Sequence, residues 1–381
     1  MPKPIETAIP FSLDRSWSAE VAVDFARAME QSGVFDYFLA WDQLVSWWPK
    51  GLWTPENTSM AAVSKDPDSF NDAFMLAAIA AATTDELGVA VSTDAIRRGP
   101  AEMMQSMLTL AGMTKGKAAM LIGAGEIKQA KPFGYKRSEG LKRMEDLFRI
   151  FPMLWECDDP IDFDGNIWKY NKAWIGSTRS YRPRFYAMGG GPKLIDIAVK
   201  HADGFISAIP LVSSSPEQWA EKVNHIKDLL EKEGRDPEEF TFGAFFLCAM
   251  HEDPDVIEKS LDNKIMRWFA AALGRFSPGD WDKEGLEPVY PRDWHYAFKL
   301  MPDEVTQAEL DEVESKVKKE MVRKSMFIGS PEKVAKELQA YADAGANHFI
   351  IADMLPFTLS QEEMQTSVSR SFDVARILKG L

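Results

Sequence analysis

Cysteine is nearly absent from this chain. Two residues, Cys157 and Cys248, stand in 381. Two thiols build neither a disulfide framework nor a cysteine-based zinc site. Histidine is also scarce, with five residues in all, and no His-Glu-x-x-His pair occurs. Metal-assisted hydrolysis of that type therefore has no ligands, and metal is not expected. A Gly-x-Ser-x-Gly elbow is missing as well, which removes the usual setting of a serine nucleophile. Positive charge is in deficit, 44 Lys and Arg against 58 Asp and Glu, for a net charge of -14. Such a chain repels nucleic acid and anionic membrane surfaces, so neither is an expected partner. No apolar run approaches the roughly 18 residues of a membrane span. The segment Met1–Trp17 lacks the apolar centre of a secretory signal. A soluble cytoplasmic protein with a small-molecule substrate is expected.

Hydrophobic residues make up 45% of the chain, enough for a sizeable core. Apolar runs of strand length recur at Glu6–Leu13, Tyr37–Trp41, Leu87–Thr93, Ala118–Ala124, Arg184–Met188, Gly204–Ile209, Thr241–Met250 and His348–Asp353. Amphipathic stretches lie between them: Ser16–Ser32, Phe70–Thr83, Pro100–Thr114, Ser138–Trp155, Pro192–His201, Pro216–Glu233 and Pro331–Ala344, the last ending at Gly345. Strands alternating with helices imply parallel pairing and right-handed crossovers. Eight such units predict an α/β fold, a single (β/α)8 TIM barrel spanning residues 1–381. Two intervals exceed a single crossover. After strand four, 156–183 contains a hairpin-like stretch, DFDGNIWKYNKAWI. After strand seven, 251–324 is helical at both ends and dense in Pro, Gly and aromatics between. Such an insertion reads as a lid or binding loop.

In a barrel of this kind the chemistry sits at the C-terminal ends of the strands. That end gathers Asp42, Gln43 and Trp47 after strand two, Thr93 and Asp94 at strand three, Gly123, Gly125 and Glu126 at strand four, and Gly189, Gly190 and Gly191 at strand five. The stretch FLAWDQLVSWW thus places Trp47 and Trp48, with Trp53 nearby, as pocket walls; the alternative is an aromatic plug at a strand edge. Gly189–Lys193, GGGPK, either cradles a phosphate at a helix start, with Lys193 adding charge, or makes a tight turn. Glu126 in LIGAGE is either a solvated turn acid or a proton donor and acceptor whose pKa burial raises. His201, His225 and His348 fit structural places; His251 and His295 could each reach a pocket but fit solvated loops better.

The segment Ala80–Glu126, with its Leu-Gly-x-x-Val strand, Arg-x-x-Pro helix start and Gly-x-Gly-Glu strand end, resembles the luciferase-like monooxygenase superfamily. AMGGGPKLIDIAVKHADGFIS and IGSPEKVAKELQAYADAGANHFII resemble its later signatures. Within it the chain is most similar to the branch that uses the deazaflavin coenzyme F420, and in length and spacing to the phthiodiolone ketoreductase and hydroxymycolic acid dehydrogenase group. The resemblance implies hydride transfer between F420 and a carbonyl, alcohol or activated double bond. It implies Glu126, Gln43 and Trp47 as catalytic residues. Asp42, Thr93, Gly125, Gly189, Gly190, Gly191 and Lys193 would hold or border the cofactor. A non-proline cis peptide at Ala90–Val91 would lie against its back face, at a cost of about 3 kcal/mol. Trp48 and Trp53 would wall a pocket for a substrate with an apolar body. Gln43 stands where the branch has histidine, and an amide cannot shuttle a proton near neutral pH. Either Glu126 carries the proton transfer, or Gln43 only polarises a substrate oxygen. The phosphate-binding basic residues of the sugar-phosphate dehydrogenases have no counterpart in 251–324. A homodimer is implied. The alternatives are an FMN-dependent monooxygenase, with a flavin reductase partner, and a non-catalytic flavin-binding barrel.

Overall fold

The computed structural model of the chain describes residues 3–381. Eight parallel strands form its centre: β1 (Glu6–Phe11), β2 (Tyr37–Trp41), β3 (Gly88–Asp94), β4 (Ala118–Gly123), β5 (Arg184–Met188), β6 (Gly204–Ile209), β7 (Thr241–Met250) and β8 (His348–Asp353). Each pairs with its neighbours in sequence order. β8 pairs back onto β1, Glu6 opposite His348, so the sheet closes into a barrel. Buried on both faces, the strands are nearly continuous apolar runs, and β3, β4 and β7 expose nothing. A short strand, Phe327–Gly329, adds to β7 beside Cys248–Met250. The hairpin Ile161–Asp164 with Lys169–Ala173 stands in the first long interval.

Around the barrel run α1 (Glu20–Ser32), α2 (Ala73–Thr83), α3 (Pro100–Met113), α4 (Gly140–Glu156), α5 (Pro192–His201) and α6 (Pro216–Lys232). Then come α7 (Lys264–Leu273), α8 (Pro331–Asp343) and α9 (Gln361–Leu378). Three helices begin later than the periodicity predicts, α4 by two residues and α1 and α2 by more, the last two for local reasons. Asp14 accepts a hydrogen bond from the Ser16 N–H at 2.8 Å, turning the chain before α1. Asp72 accepts from Phe74 and Met75 at 2.9 and 3.2 Å, which makes it the cap of α2. The sequence reading left α9 unmarked. It starts at a reciprocal capping box of Ser360 and Glu363.

Three apolar clusters follow from this layering. Ala8, Leu39, Ala90, Leu121, Tyr186 and Ile350 fill the barrel interior. The largest cluster lies between strands and surrounding helices. The third joins Trp48 and Leu52 to α7 and to Leu247, Ala352 and Met354 near the strand ends. Segment 251–324 is thus packed through Trp268, Phe269 and Trp281 as a cap with its own core.

The expected cis peptide at Ala90–Val91 is not there: among the described residues the cis bond is Ile209–Pro210. Ala90 and Val91 hold regular ladder positions, opposite Leu39 and Ala40 on one side and Ala119 and Met120 on the other. Both flanking ladders run through them without interruption.

Candidate active site

Glu126 follows β4 directly, delivered by Gly125. That glycine has φ +85°, and a Cβ on it would come within 2.6 Å of Ile96 Cδ1, so both backbone and space require glycine. Glu126 is held through one oxygen. Trp47 Nε1 donates to Oε2 at 3.1 Å, and Lys128 Nζ lies 3.0 Å from the same atom. Among the described residues Oε1 has no partner, and the side chain is 21% exposed. Lys128 is itself fully buried. Its ammonium donates to the Val45 carbonyl at 2.6 Å and lies 5.1 Å from the Trp47 ring centroid. Burial lowers its pKa, opposed by the Glu126 charge. Gln129, the next residue, clamps the loop after β2: Oε1 accepts from Leu44 and Val45, and Nε2 donates to the Val45 carbonyl.

Gln43 is buried against the same loop. The hydrogen-bond network orients its amide with nitrogen donating to the Val45 carbonyl and oxygen accepting from Trp41 Nε1, each at 3.2 Å. Trp41 packs edge-on against Trp47, with centroids 4.8 Å apart.

Asp42 is 6% exposed and sits in a web of charge. Thr93 Oγ1 donates to it at 2.6 Å, and Arg97 and Arg98 bridge to it at 3.2 and 3.4 Å. Arg97 also donates to the Asp42 carbonyl at 2.7 Å and pairs with Asp94. Burial works against the Arg97 charge, but Asp94 and Asp42 outweigh it and raise its pKa. The ends of β2 and β3 are thereby tied together by paired charges.

The glycines after β5 make a turn into α5. Gly191 is its N-cap, no side chain occupies the cap, and no atom lies within 4 Å of where a Cβ on it would be. Open backbone at a helix start fits an anionic group such as a cofactor phosphate, and the exposed Lys193 lies in the first turn. Gly190 borders the cap, since its Cβ position is 3.4 Å from Phe276. Trp48 lies in the cap core, 5.0 Å from the Phe357 ring, and Trp53 Nε1 donates to the Ser64 carbonyl at 2.7 Å. Among the described residues no group of three or more His, Cys, Asp or Glu could hold a metal ion.

His295 is a correction. Far from a solvated loop, it is half-buried against Phe276, Tyr296 and Phe298. Burial, helped by the Arg137 charge, pushes its pKa down to about 4. Sequence reasoning also missed Lys128, Arg137 and Tyr296. The only signal was position, since Lys128 lies two residues after the Glu126 it serves. His348 is structural as expected, buried with Nδ1 3.0 Å from Glu6 at the opposite end of the barrel.

The sequence signature of the luciferase-like monooxygenase family matches residues 13–348. The chain belongs to that family. A curated relative, the phthiodiolone/phenolphthiodiolone dimycocerosates ketoreductase of Mycobacterium kansasii, is 23% identical over 353 residues, covering 91% of this chain and 94% of its own length. Two solved structures share the luciferase-like fold. An F420-dependent secondary alcohol dehydrogenase in complex with an F420-acetone adduct has a TM-score of 0.69 at 19% identity, covering 92% of this chain and 94% of its own. A riboflavin lyase with modified FMN and riboflavin has a TM-score of 0.65 at 15% identity, covering 100% and 96%.

Proposed function

We propose that the chain is an F420-dependent oxidoreductase acting on a carbonyl, secondary alcohol or activated double bond of a substrate with an apolar body. The observation that carries this reading is the Glu126 carboxyl at the end of β4. Trp47 and Lys128 pin it through Oε2, and Oε1 is left unpartnered. When bound, the deazaflavin supplies or accepts the hydride. Glu126 Oε1 gives or takes the accompanying proton at the substrate oxygen. Trp47 and Lys128 fix the carboxyl in place, and the packed rings of Trp41, Trp47 and Phe245 keep water from that side of it. Gln43 has both amide ends engaged within the protein, which leaves the proton to Glu126. The glycine turn at Gly189–Gly191 and the start of α5 hold the cofactor phosphate, with Asp42 and Thr93 stiffening the strand ends beside it. The same reading makes the protein a cytoplasmic homodimer, which sedimentation at working concentration tests.

A side-by-side titration of F420 and FMN into the purified chain is the test. Binding of the deazaflavin with little FMN binding is expected, followed by turnover of F420 with a carbonyl or alcohol panel. A preference for FMN overturns the proposal in favour of a monooxygenase supplied by a flavin reductase, read by oxygen consumption.

A further inference from the structure

Among the described residues the Arg137 side chain, near Glu126, has no counter-ion. Arg97, Arg98 and Lys128 close by are paired: Arg97 with Asp94 and Asp42, Arg98 with Asp72, Lys128 with Glu126. Among the described residues the Arg137 side chain makes no hydrogen bond and no ion pair, and its Nε is buried with no partner. Its guanidinium lies over the Phe298 ring, 4.3 Å from the centroid. Gly140 makes room for it, because a Cβ there would come within 2.9 Å of Arg137 Nη1 and collide with the Ala124 carbonyl. Burial lowers the Arg137 pKa, and the charges it feels are those of Glu126, Tyr296 and Asp94. The residue is half-buried, and a guanidinium whose Nε is shut off from water without a partner is costly to keep.

Two further donors lie close by: His295 packs against the same Phe298 ring as Arg137, and Tyr296 stacks on His295 with centroids 5.0 Å apart. His295 Nδ1 accepts from the Ala297 N–H at 3.1 Å, so the neutral ring carries its proton on Nε2. The Tyr296 hydroxyl, within electrostatic reach of Glu126 and Arg137, has no hydrogen-bond partner among the described residues. The helix Tyr296–Lys299 packs against Ile127–Ala130, the short helix that carries Lys128. Phe276 connects this corner to the glycine turn, touching His295 on one side and Gly190 on the other.

We propose that Arg137, the Nε2–H of His295 and the Tyr296 hydroxyl form an anion-binding subsite beside Glu126 that takes a carboxylate or phosphate carried by the substrate. A planar guanidinium with two neutral donors is suited to an oxyanion, and the Phe298 and Phe276 rings suit an apolar body attached to it. The cofactor phosphate has its own place at the glycine turn, which assigns this subsite to the substrate. The inference rests on the oxidoreductase reading only for the word substrate; the anion site itself does not.

The probes are benzoate and its neutral counterpart benzamide, titrated calorimetrically into the purified chain, first alone and then with saturating F420. Benzoate is expected to bind at least about tenfold tighter than benzamide, a difference typical of one charge-assisted contact. Arg137→Met abolishes the preference, Arg137→Lys keeps part of it, and F420 affinity changes less than about twofold in either. Equal affinities in the unmodified chain, or no binding of benzoate, overturn the proposal, and that comparison needs no variant to fold. Loss of F420 affinity in Arg137→Met as large as the loss for benzoate also overturns it, because the guanidinium then serves the cofactor. If F420 does not bind at all, the oxidoreductase reading fails while the cofactor-free arm still judges the subsite.

Discussion

At the scale of the residue, the proposed mechanism rests on one carboxyl oxygen. Trp47 and Lys128 both act on Glu126 Oε2, so the free Oε1 is defined by what holds its partner atom. Glu126→Gln keeps the shape and the acceptor oxygen but cannot exchange a proton. Turnover should fall by about 10²–10³-fold, a typical general acid–base contribution, while F420 affinity stays within about twofold. Steady-state rates beside a cofactor titration check this; unchanged turnover removes Glu126 from the proton path. The place of Glu126 was legible in the sequence because Gly-x-Gly-Glu ends a strand. Its partner Lys128 was not, because a lysine on a polar tetrapeptide helix reads as solvated until the loop after β2 folds over it. Arg137 was hidden in the same way, in the charged run Lys136–Glu139, and the burial of His295 depends on Phe276 from a distant turn of the cap as well as on its neighbours Tyr296 and Phe298.

At the scale of the element, strands were easy and caps were not. β2, β5, β6, β7 and β8 lie where the apolar runs place them, since a strand buried on both faces needs continuous hydrophobicity. α9 escaped notice because Ser367 and Ser371 stand in its buried stripe where larger apolar residues would have marked the period. The end of β8 carries a pH signature. Asp353 Oδ1 accepts from the Leu355 N–H at 3.0 Å and from Met250 at 3.3 Å, fastening β8 to β7 and to the turn Leu355–Phe357, while Oδ2 is buried unpartnered. Burial pushes its pKa from 3.8 up to about 7, against the two backbone donors and Arg370. The folded chain therefore holds a proton that the unfolded chain releases across that window. Stability from this group is full below the unfolded pKa, falls as pH rises toward the folded one, and is flat above it. Asp353→Asn keeps the Oδ1 acceptor and never ionises. Relative to the unmodified chain it should gain about 2–4 kcal/mol between pH 4.5 and pH 8. Urea unfolding of both at the two pH values measures the gain; a pH-independent difference would mean that Asp353 ionises freely.

At the scale of the molecule, the barrel and the cap are two cores sharing one boundary, and the candidate site lies in that boundary. The barrel supplies Glu126, Asp42, Thr93 and the glycine turn; segment 251–324 supplies His295, Tyr296 and Phe276. Eight repeated units made the barrel readable, because the period of strand and helix recurs along the chain. The cap has no period, and its fold is set by which tryptophans find which cavity, so no pattern in the sequence marks it. Hydrogen bonds cross the boundary at the site, and one of them bears on the acid. Trp268 of α7 is fully buried and its Nε1 donates to the Trp47 carbonyl at 2.9 Å. Trp47 in turn holds Glu126, so the cap core reaches the acid in two steps. Trp268→Phe removes the donor, leaves that carbonyl short of a partner and opens a small space. The loss of stability should be about 1–3 kcal/mol, for an unmet buried carbonyl and a modest cavity. A purely structural tryptophan would show only that loss. Because this one supports Trp47, the variant should also lose turnover at temperatures well below its unfolding midpoint, with F420 affinity nearly unchanged. Denaturant unfolding and kinetics on the same preparation separate the two, and full turnover in a destabilised but folded variant would show that the cap covers the site without positioning its acid.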